Sequence, residues 1–212
     1  MTVTAKKQSK AAQKAAQVAR AEFRAVVFNL PNQLTWMRLI LAVVMFALIG
    51  FDFYWAGMWL FIVAAATDWL DGYLARKYNQ VTTLGRILDP FADKVIVCGT
   101  FIYLAAIPEF AAYMWPSMAV VIVGRELLVT ALRGYLEQQG ADFSANMAGK
   151  LKMVFQCAAA VASLYYLAQY PAGEKPPDWL HWGLHVSIWS AVVMTIYSGA
   201  GYVFTAIRLL RG

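Results

Sequence analysis

The sequence predicts an all-α membrane protein with six transmembrane helices, preceded by an N-terminal amphipathic helix on the membrane surface. Hydrophobic residues make up 61% of the 212 residues and charged residues only 14%, and the mean hydropathy is +0.54. A water-exposed surface needs more charge, so this composition indicates that lipid surrounds much of the chain. Several segments also reach the length of roughly 20 apolar residues that spans a bilayer.

The first segment, residues 1–28, is rich in alanine and basic. Its basic residues recur at about helical spacing at Lys6, Lys10, Lys14, Arg20 and Arg24. Because no apolar core of the signal-peptide type precedes them, we expect an uncleaved surface helix. Pro31 lacks a backbone donor and disfavours helix in the residue before it, so a new segment starts there. Residues 29–212 are then one transmembrane domain.

Six apolar stretches follow, each long enough to cross the hydrocarbon core. They are predicted near residues 33–53, 55–77, 88–107, 114–139, 147–170 and 179–209. An even number of spans places both termini on the same side. Arginine and lysine concentrate at the termini and in the turns 76–87 and 140–150. The positive-inside rule therefore predicts a multi-pass protein of the cell inner membrane with cytoplasmic termini.

The remaining composition excludes several other functions. The net charge of +6 comes from residues that flank membrane segments, which indicates contact with anionic membrane lipids rather than nucleic acid. Cys98 and Cys157 lie within apolar segments without CxxC spacing, so we interpret them as packing residues. His181 and His185 have the spacing of metal ligands, but no carboxylate or cysteine accompanies them, which favours an interfacial role.

Four aspartates in the second and third segments are the main candidates for chemistry. They are Asp68, Asp71, Asp89 and Asp93. Each would cost about 2.5–3.5 kcal/mol at the centre of a bilayer, so they must be compensated. The spacings of three and four place each pair on one helix face. The short turn between the two segments makes them antiparallel neighbours, and the four carboxylates then converge near the cytoplasmic surface.

Converging carboxylates predict bound divalent cations, because like charges at close range disfavour ionisation. All-oxygen ligation suits Mg²⁺ or Mn²⁺, and two such ions can clamp the attacking and leaving oxygens of a phosphoryl displacement. The structural alternative is ion pairing with the neighbouring bases Arg76, Lys77, Arg86 and Lys94. The small residues Gly72, Ala75 and Gly85 leave room for a ligand, although ordinary helix packing explains small residues equally well.

Together these residues form one pattern, Asp68-x2-Asp71-Gly72-x2-Ala75-Arg76-x8-Gly85-x3-Asp89-x3-Asp93. The pattern resembles the complete signature of the CDP-alcohol phosphotransferase family. This resemblance implies a six-helix membrane fold, usually homodimeric, with a two-metal site. Asp68, Asp71 and Asp89 would be metal ligands, and Asp93 would be the general base and also a ligand. The CDP-lipid would bind along Thr35, Gly72, Ala75, Arg76 and Gly85.

Three looser stretches resemble one subfamily, the bacterial phosphatidylglycerophosphate synthases. They are residues 29–38, Gly124-Arg125-Glu126 with Arg133, and Gly149-Lys150-Leu151-Lys152 with Gln156. The implied reaction joins CDP-diacylglycerol and sn-glycerol 3-phosphate to give phosphatidylglycerol phosphate and CMP. Inositol phosphate, serine and phosphatidylglycerol are the alternative acceptors within the family.

The residues themselves also predict a phosphorylated acceptor. Arg125 and Arg133 lie about two turns apart on the fourth segment, and Lys150 and Lys152 open the fifth. Cations within a membrane segment need an anionic partner, which an acceptor phosphate would provide. Pairing with Glu126, Glu137 or the metal-site acids remains the alternative.

Outside enzymes, the alternative function is a divalent-cation transporter, because intramembrane carboxylates also mark ion paths. Such a path would need polar residues that continue to the far side of the membrane. Beyond Asp68 and Asp93 the segments continue as Phe61-Ile62-Val63-Ala64 and Val95-Ile96-Val97-Cys98, which argues against transport.

Overall fold

The computed structural model describes the backbone of residues 30–78, 83–139, 147–170 and 174–211. Within these ranges it describes all side chains except those of residues 30–32, 34, 68–78, 83–90, 137, 138, 210 and 211. The surface helix predicted for residues 1–28 lies outside the described residues.

Six long α-helices form the described chain, which contains no β-strand. They are α1 (Leu30–Gly50), α2 (Tyr54–Tyr78), α3 (Thr83–Ala106), α4 (Pro116–Gln138), α5 (Met147–Gln169) and α6 (Asp178–Arg211). A 3-10 turn at Pro108–Phe110 precedes α4. The all-α prediction is confirmed, and each helix overlaps one predicted stretch. The largest difference is at α3, which begins at Thr83 rather than near residue 88.

A tight turn reverses the chain between α1 and α2. Asp52 has a φ of 64°, in the left-handed region that aspartate tolerates better than most residues. The Phe53 amide donates to the Leu48 carbonyl over 2.9 Å, and the Tyr54 hydroxyl donates to Asp52 Oδ1 over 2.6 Å. This connection lets α2 pack back against α1.

The helices pack around an apolar core near one end of the bundle. α1 contacts α2 and α3, α2 contacts α5, α3 contacts α4, and both α4 and α5 contact α6. Met45, Phe61, Phe101, Leu164 and Ile188 are among the largest fully buried side chains. Most buried polar side chains lie towards the other end, where α1, α3 and α5 begin and where α4 and α6 end.

The outer surface is apolar, as expected of a membrane protein. Ile40, Val43, Val120, Val186 and Phe204 are each more than 60% exposed. By length and composition, α5 and the part Asp178–Leu209 of α6 are suited to cross a bilayer. α1 and α2 contain shorter described apolar stretches. These features indicate a membrane protein, and the arrangement of six spans stays a prediction.

The two histidines of α6 belong to an aromatic cluster at the core end of the bundle. The Tyr113 hydroxyl lies 2.8 Å from His181 Nδ1, and the rings of His181 and His185 are 4.8 Å apart. Burial, followed by a hydrogen bond involving Tyr166, raises the pKa of the Tyr113 hydroxyl above its ordinary value. These ring contacts favour a packing role for the two histidines.

Candidate active site

Asp93, near the middle of α3, is held by an arginine from α1. Arg38 Nη1 donates to Asp93 Oδ1 over 2.6 Å. The Arg38 side chain is 3% exposed and that of Asp93 is 26% exposed. A hydrogen bond between charged groups is worth about 1.5–3 kcal/mol and fixes the orientation of the carboxylate. The buried Arg38 therefore fixes the orientation of the Asp93 carboxylate, which remains partly accessible to a small molecule.

The other three predicted metal ligands lie on α2 and α3. Asp68 and Asp71 fall within α2 and Asp89 within α3, so helical backbone preserves the spacings that place each pair on one face. All-oxygen ligands on such faces fit Mg²⁺ or Mn²⁺. The side chains of Asp68, Asp71, Gly72, Ala75, Arg76, Gly85 and Asp89 lie outside the described ones. The metal site therefore stays a prediction, and the described side chains alone contain no metal-binding group of three.

A second set of buried polar side chains joins α4, α5 and α6. We call Arg125, Glu126, Arg133 and Lys152 the charge cluster. Lys152 Nζ lies 2.5 Å from Glu126 Oε1, and Arg125 Nη1 lies 3.3 Å from the same oxygen. Glu126 is therefore the carboxylate partner of two of the predicted acceptor-binding cations. This is the pairing that the sequence left open as an alternative.

The second arginine of the cluster has a different environment. Arg133 forms no ion pair with a carboxylate among the described side chains, and its Nη2 lies 3.5 Å from the Tyr202 hydroxyl. Arg125 Nη2 donates to Ser198 Oγ over 3.0 Å. The Nε atoms of Arg125 and Arg133 are buried and have no hydrogen-bond partner among the described residues. An unsatisfied buried donor costs about 1–3 kcal/mol, which an anionic ligand would offset.

The two lysines at the start of α5 differ in exposure. Lys152 is 6% exposed and bound to Glu126, whereas Lys150 is exposed. Residues two apart on a helix face different directions. The structure thus brings Arg125, Arg133 and Lys152 into one cluster and leaves Lys150 on the surface. Among the described side chains, the charge cluster has three cations and one carboxylate.

Lys94 connects Asp93 to the charge cluster. It follows Asp93 on α3 and is near enough to be attracted by the Asp93 and Glu126 carboxylates and repelled by Arg133 and Lys152. The predicted proton acceptor and the predicted acceptor-binding cations therefore belong to one polar region at one end of the bundle. This arrangement is suited to hold an anionic molecule near a carboxylate.

Sequence reasoning gave no role to two residues of this region, Arg38 and Tyr202. Arg38 had a recognisable signal, because an arginine inside an apolar segment is a functional candidate by default. It lies one turn after Thr35, and both side chains are almost fully buried on α1. Tyr202 had no such signal among the 11 tyrosines of the chain.

A family model for CDP-alcohol phosphatidyltransferase matches residues 28–197. The chain belongs to this family. The matched region of this CDP-alcohol phosphatidyltransferase includes Asp93 and the whole charge cluster. It ends just before Ser198 and Tyr202, which contact the two arginines of the cluster.

Curated relatives of this CDP-alcohol phosphatidyltransferase share a single name, CDP-diacylglycerol–glycerol-3-phosphate 3-phosphatidyltransferase. The Bacillus subtilis (strain 168) protein is 35% identical over 196 residues, covering 83% of this chain and 94% of the relative. The Escherichia coli (strain K12) protein is 32% identical over 189 residues, covering 84% of this chain and 95% of the relative. The Salmonella typhimurium (strain LT2) protein is 32% identical over 185 residues with the same coverage.

Proposed function

We propose that this membrane enzyme transfers a phosphatidyl group from CDP-diacylglycerol to sn-glycerol 3-phosphate, giving phosphatidylglycerol phosphate and CMP. The observation that carries this proposal is the set of three cations, Arg125, Arg133 and Lys152, which is accompanied by a single described carboxylate and lies in the same polar region as Asp93. A phosphorylated acceptor supplies the anionic partner that such cations need, and a neutral amino alcohol does not. The name shared by the relatives supports the same donor and acceptor.

The donor would bind at the aspartate end of α2 and α3. In this proposal Asp68, Asp71, Asp89 and Asp93 hold two divalent ions, Mg²⁺ or Mn²⁺, which when bound would stabilise negative charge on the phosphates and on the departing CMP. Thr35, Gly72, Ala75, Arg76 and Gly85 would contact the CDP-lipid. The burial of Thr35 beside Arg38 on α1 is compatible with this placement.

The reaction is a displacement at phosphorus with Asp93 as general base. Asp93 takes the proton of the C1 hydroxyl of glycerol 3-phosphate, and that oxygen forms a bond to the lipid-linked phosphorus. The bond between phosphorus and the CMP oxygen breaks, and its electron pair leaves with CMP. Arg38 orients the Asp93 carboxylate. The charge cluster, together with the exposed Lys150, would bind the acceptor phosphate and so hold the hydroxyl near Asp93.

The same proposal includes the placement in the membrane. Residues 29–212 would form six spans of the cell inner membrane, and residues 1–28 would form a surface helix, with both termini and the active site cytoplasmic. The concentration of buried polar residues at one end of the bundle supports a one-sided site. With the site at the cytoplasmic surface, CDP and the acceptor would stay in water while the acyl chains stay among membrane lipids. A homodimer is expected for the family.

One assay tests the function directly. Purified protein is supplied with CDP-diacylglycerol and Mg²⁺, and CMP release is measured separately with glycerol 3-phosphate, inositol phosphate, serine, phosphatidylglycerol and unphosphorylated glycerol. We expect release with glycerol 3-phosphate. Equal release with unphosphorylated glycerol, or preference for another acceptor, would contradict the proposed acceptor. Absence of release with all five would contradict phosphatidyl transfer itself.

A further inference from the structure

Tyr202 of α6 is in contact with both arginines of the charge cluster. The guanidinium carbon of Arg125 lies 5.4 Å from the centroid of the Tyr202 ring, and that of Arg133 lies 6.0 Å from it. The Tyr202 hydroxyl is also the hydrogen-bond partner of Arg133 Nη2. Among the described aromatic residues, Tyr202 is the one with arginines over its ring, and it is only 6% exposed.

Two glycines allow this close packing. A Cβ atom at Gly149, near the start of α5, would lie 3.0 Å from the Tyr202 hydroxyl oxygen. A Cβ atom at Gly199, on α6, would lie 2.9 Å from Arg125 Cγ. In a close-packed interior a methyl group at either place would displace its neighbour. The positions of Tyr202 and Arg125 therefore depend on the absence of side chains at these glycines.

We propose that Tyr202 is a positioning residue that holds Arg125 and Arg133 together as one binding site for the acceptor phosphate. This inference rests on the proposed function, which supplies that phosphate. Two guanidinium groups repel each other, and the negative face of an aromatic ring attracts both. The Arg125 side chain is nine-tenths buried, and in the described part of the chain its Nε and that of Arg133 have no hydrogen-bond partner. These donors suit the oxygens of a phosphate group.

The first test compares two substitutions of Tyr202. Tyr202→Leu removes the ring, and we expect the apparent KM for glycerol 3-phosphate to rise about 10-fold. Tyr202→Phe keeps the ring and loses the hydroxyl, so we expect a rise of only about 3-fold. In both variants kcat and the KM for CDP-diacylglycerol should stay near the values of the unmodified protein. Tyr197→Leu is the matched control, because Tyr197 lies on the same helix and is 67% exposed.

The second test uses the contact with Gly149. Gly149→Ala should raise the acceptor KM about 3-fold by displacing the Tyr202 hydroxyl. In the Tyr202→Phe background the same change should have no further effect, because the nearest remaining ring atoms, Cε2 and Cζ, would be at 3.5 and 3.7 Å, ordinary contact distances. This pair of variants decides the question even if Tyr202→Leu fails to fold.

The outcomes separate this inference from the proposed function. Unchanged acceptor KM in the Tyr202 variants, an equal rise in the donor KM, or equal effects of Gly149→Ala in both backgrounds would overturn the positioning role. In those cases the unmodified protein still releases CMP with glycerol 3-phosphate. Failure of the unmodified protein to do so would contradict the proposed function, and the role of Tyr202 with it.

Discussion

Arg38 Nη1 and Asp93 Oδ1 lie 2.6 Å apart and join the middle of α1 to the middle of α3. The pair separates two tasks that a catalytic carboxylate has to combine. Arg38 is buried and supplies the orientation, whereas Asp93 is partly exposed and can meet the substrate. In its proposed role as general base, a carboxylate fixed in this way can take a proton without reorganisation of the site.

Loss of the guanidinium should therefore reduce turnover. Arg38→Gln removes a charged hydrogen bond worth about 1.5–3 kcal/mol, so we expect kcat to fall about 10- to 100-fold. Arg38→Lys keeps the positive charge but loses the planar guanidinium group. Its kcat should therefore lie between that of the unmodified protein and that of Arg38→Gln. The measurement is CMP release, with Arg208→Gln on the exposed part of α6 as control. Unchanged kcat in Arg38→Gln would show that the pair has no part in catalysis.

Asp93→Asn should separate catalysis from donor binding. The substitution preserves size and removes the base, so turnover should fall about 10²- to 10⁴-fold while CDP-diacylglycerol binding largely survives. Asp68→Asn should instead weaken metal and nucleotide binding together. Binding of the CDP-lipid and of the metal would be measured alongside CMP release. Equal loss of binding in both variants would identify Asp93 as a plain metal ligand.

Removal of divalent cations should abolish the reaction. EDTA should stop CMP release, and added Mg²⁺ or Mn²⁺ should restore it, because the predicted ligands are all carboxylate oxygens. The control is the same titration with EDTA that has been saturated with Ca²⁺ beforehand. Full activity in thoroughly chelated protein would contradict the two-metal site.

Acceptor and donor recognition should respond differently to loss of the cations. Arg133→Gln and Lys150→Gln each remove a charged donor, so we expect the apparent KM for glycerol 3-phosphate to rise about 10- to 100-fold. The KM for CDP-diacylglycerol should hardly change. Because Lys150 is exposed, its variant also tests whether the acceptor contacts the surface lysine. A defect confined to donor KM would mean that the cluster does not bind the acceptor.

The buried pair of Glu126 and Lys152 should affect stability as well as binding. Lys152→Met leaves the Glu126 carboxylate, among the described side chains, with the longer contact to Arg125 alone. Loss of one partner of a buried ion pair costs about 3–5 kcal/mol, so thermal unfolding in detergent should shift to lower temperature. Adding Glu126→Gln should recover much of the loss. If the double variant were no more stable than Lys152→Met, the pair would contribute little.

The helices were predictable from sequence because each apolar run is bounded by charged residues, proline or glycine. The predicted stretch 147–170 and the helix Met147–Gln169 differ at their ends by a single residue. The family signature likewise requires only local spacing, which helix geometry preserves. The same periodicity shows that Lys150 and Lys152 face different directions, but it does not show which of them is buried. That choice depends on Glu126, which reaches Lys152 from another helix.

The contacts between helices were not predictable in this way. Arg38 and Asp93 are 55 positions apart, and Arg133 and Tyr202 are 69 apart. Such pairs depend on which helices are neighbours and how they rotate about their axes. The charged groups of the candidate site could be identified from the sequence, whereas their partners are determined by tertiary packing.

The 34 residues of α6 have a consequence for where the acceptor meets the enzyme. At about 1.5 Å per residue the helix is roughly 51 Å long, well beyond the roughly 30 Å of hydrocarbon. An upright helix that entered the membrane at Asp178 would leave the acyl region near Ser198, and Tyr202 would then lie at headgroup depth. Anionic headgroups at that depth repel an anionic acceptor and lower its local concentration. We therefore expect the lipid mixture around the enzyme to regulate how readily the acceptor is captured.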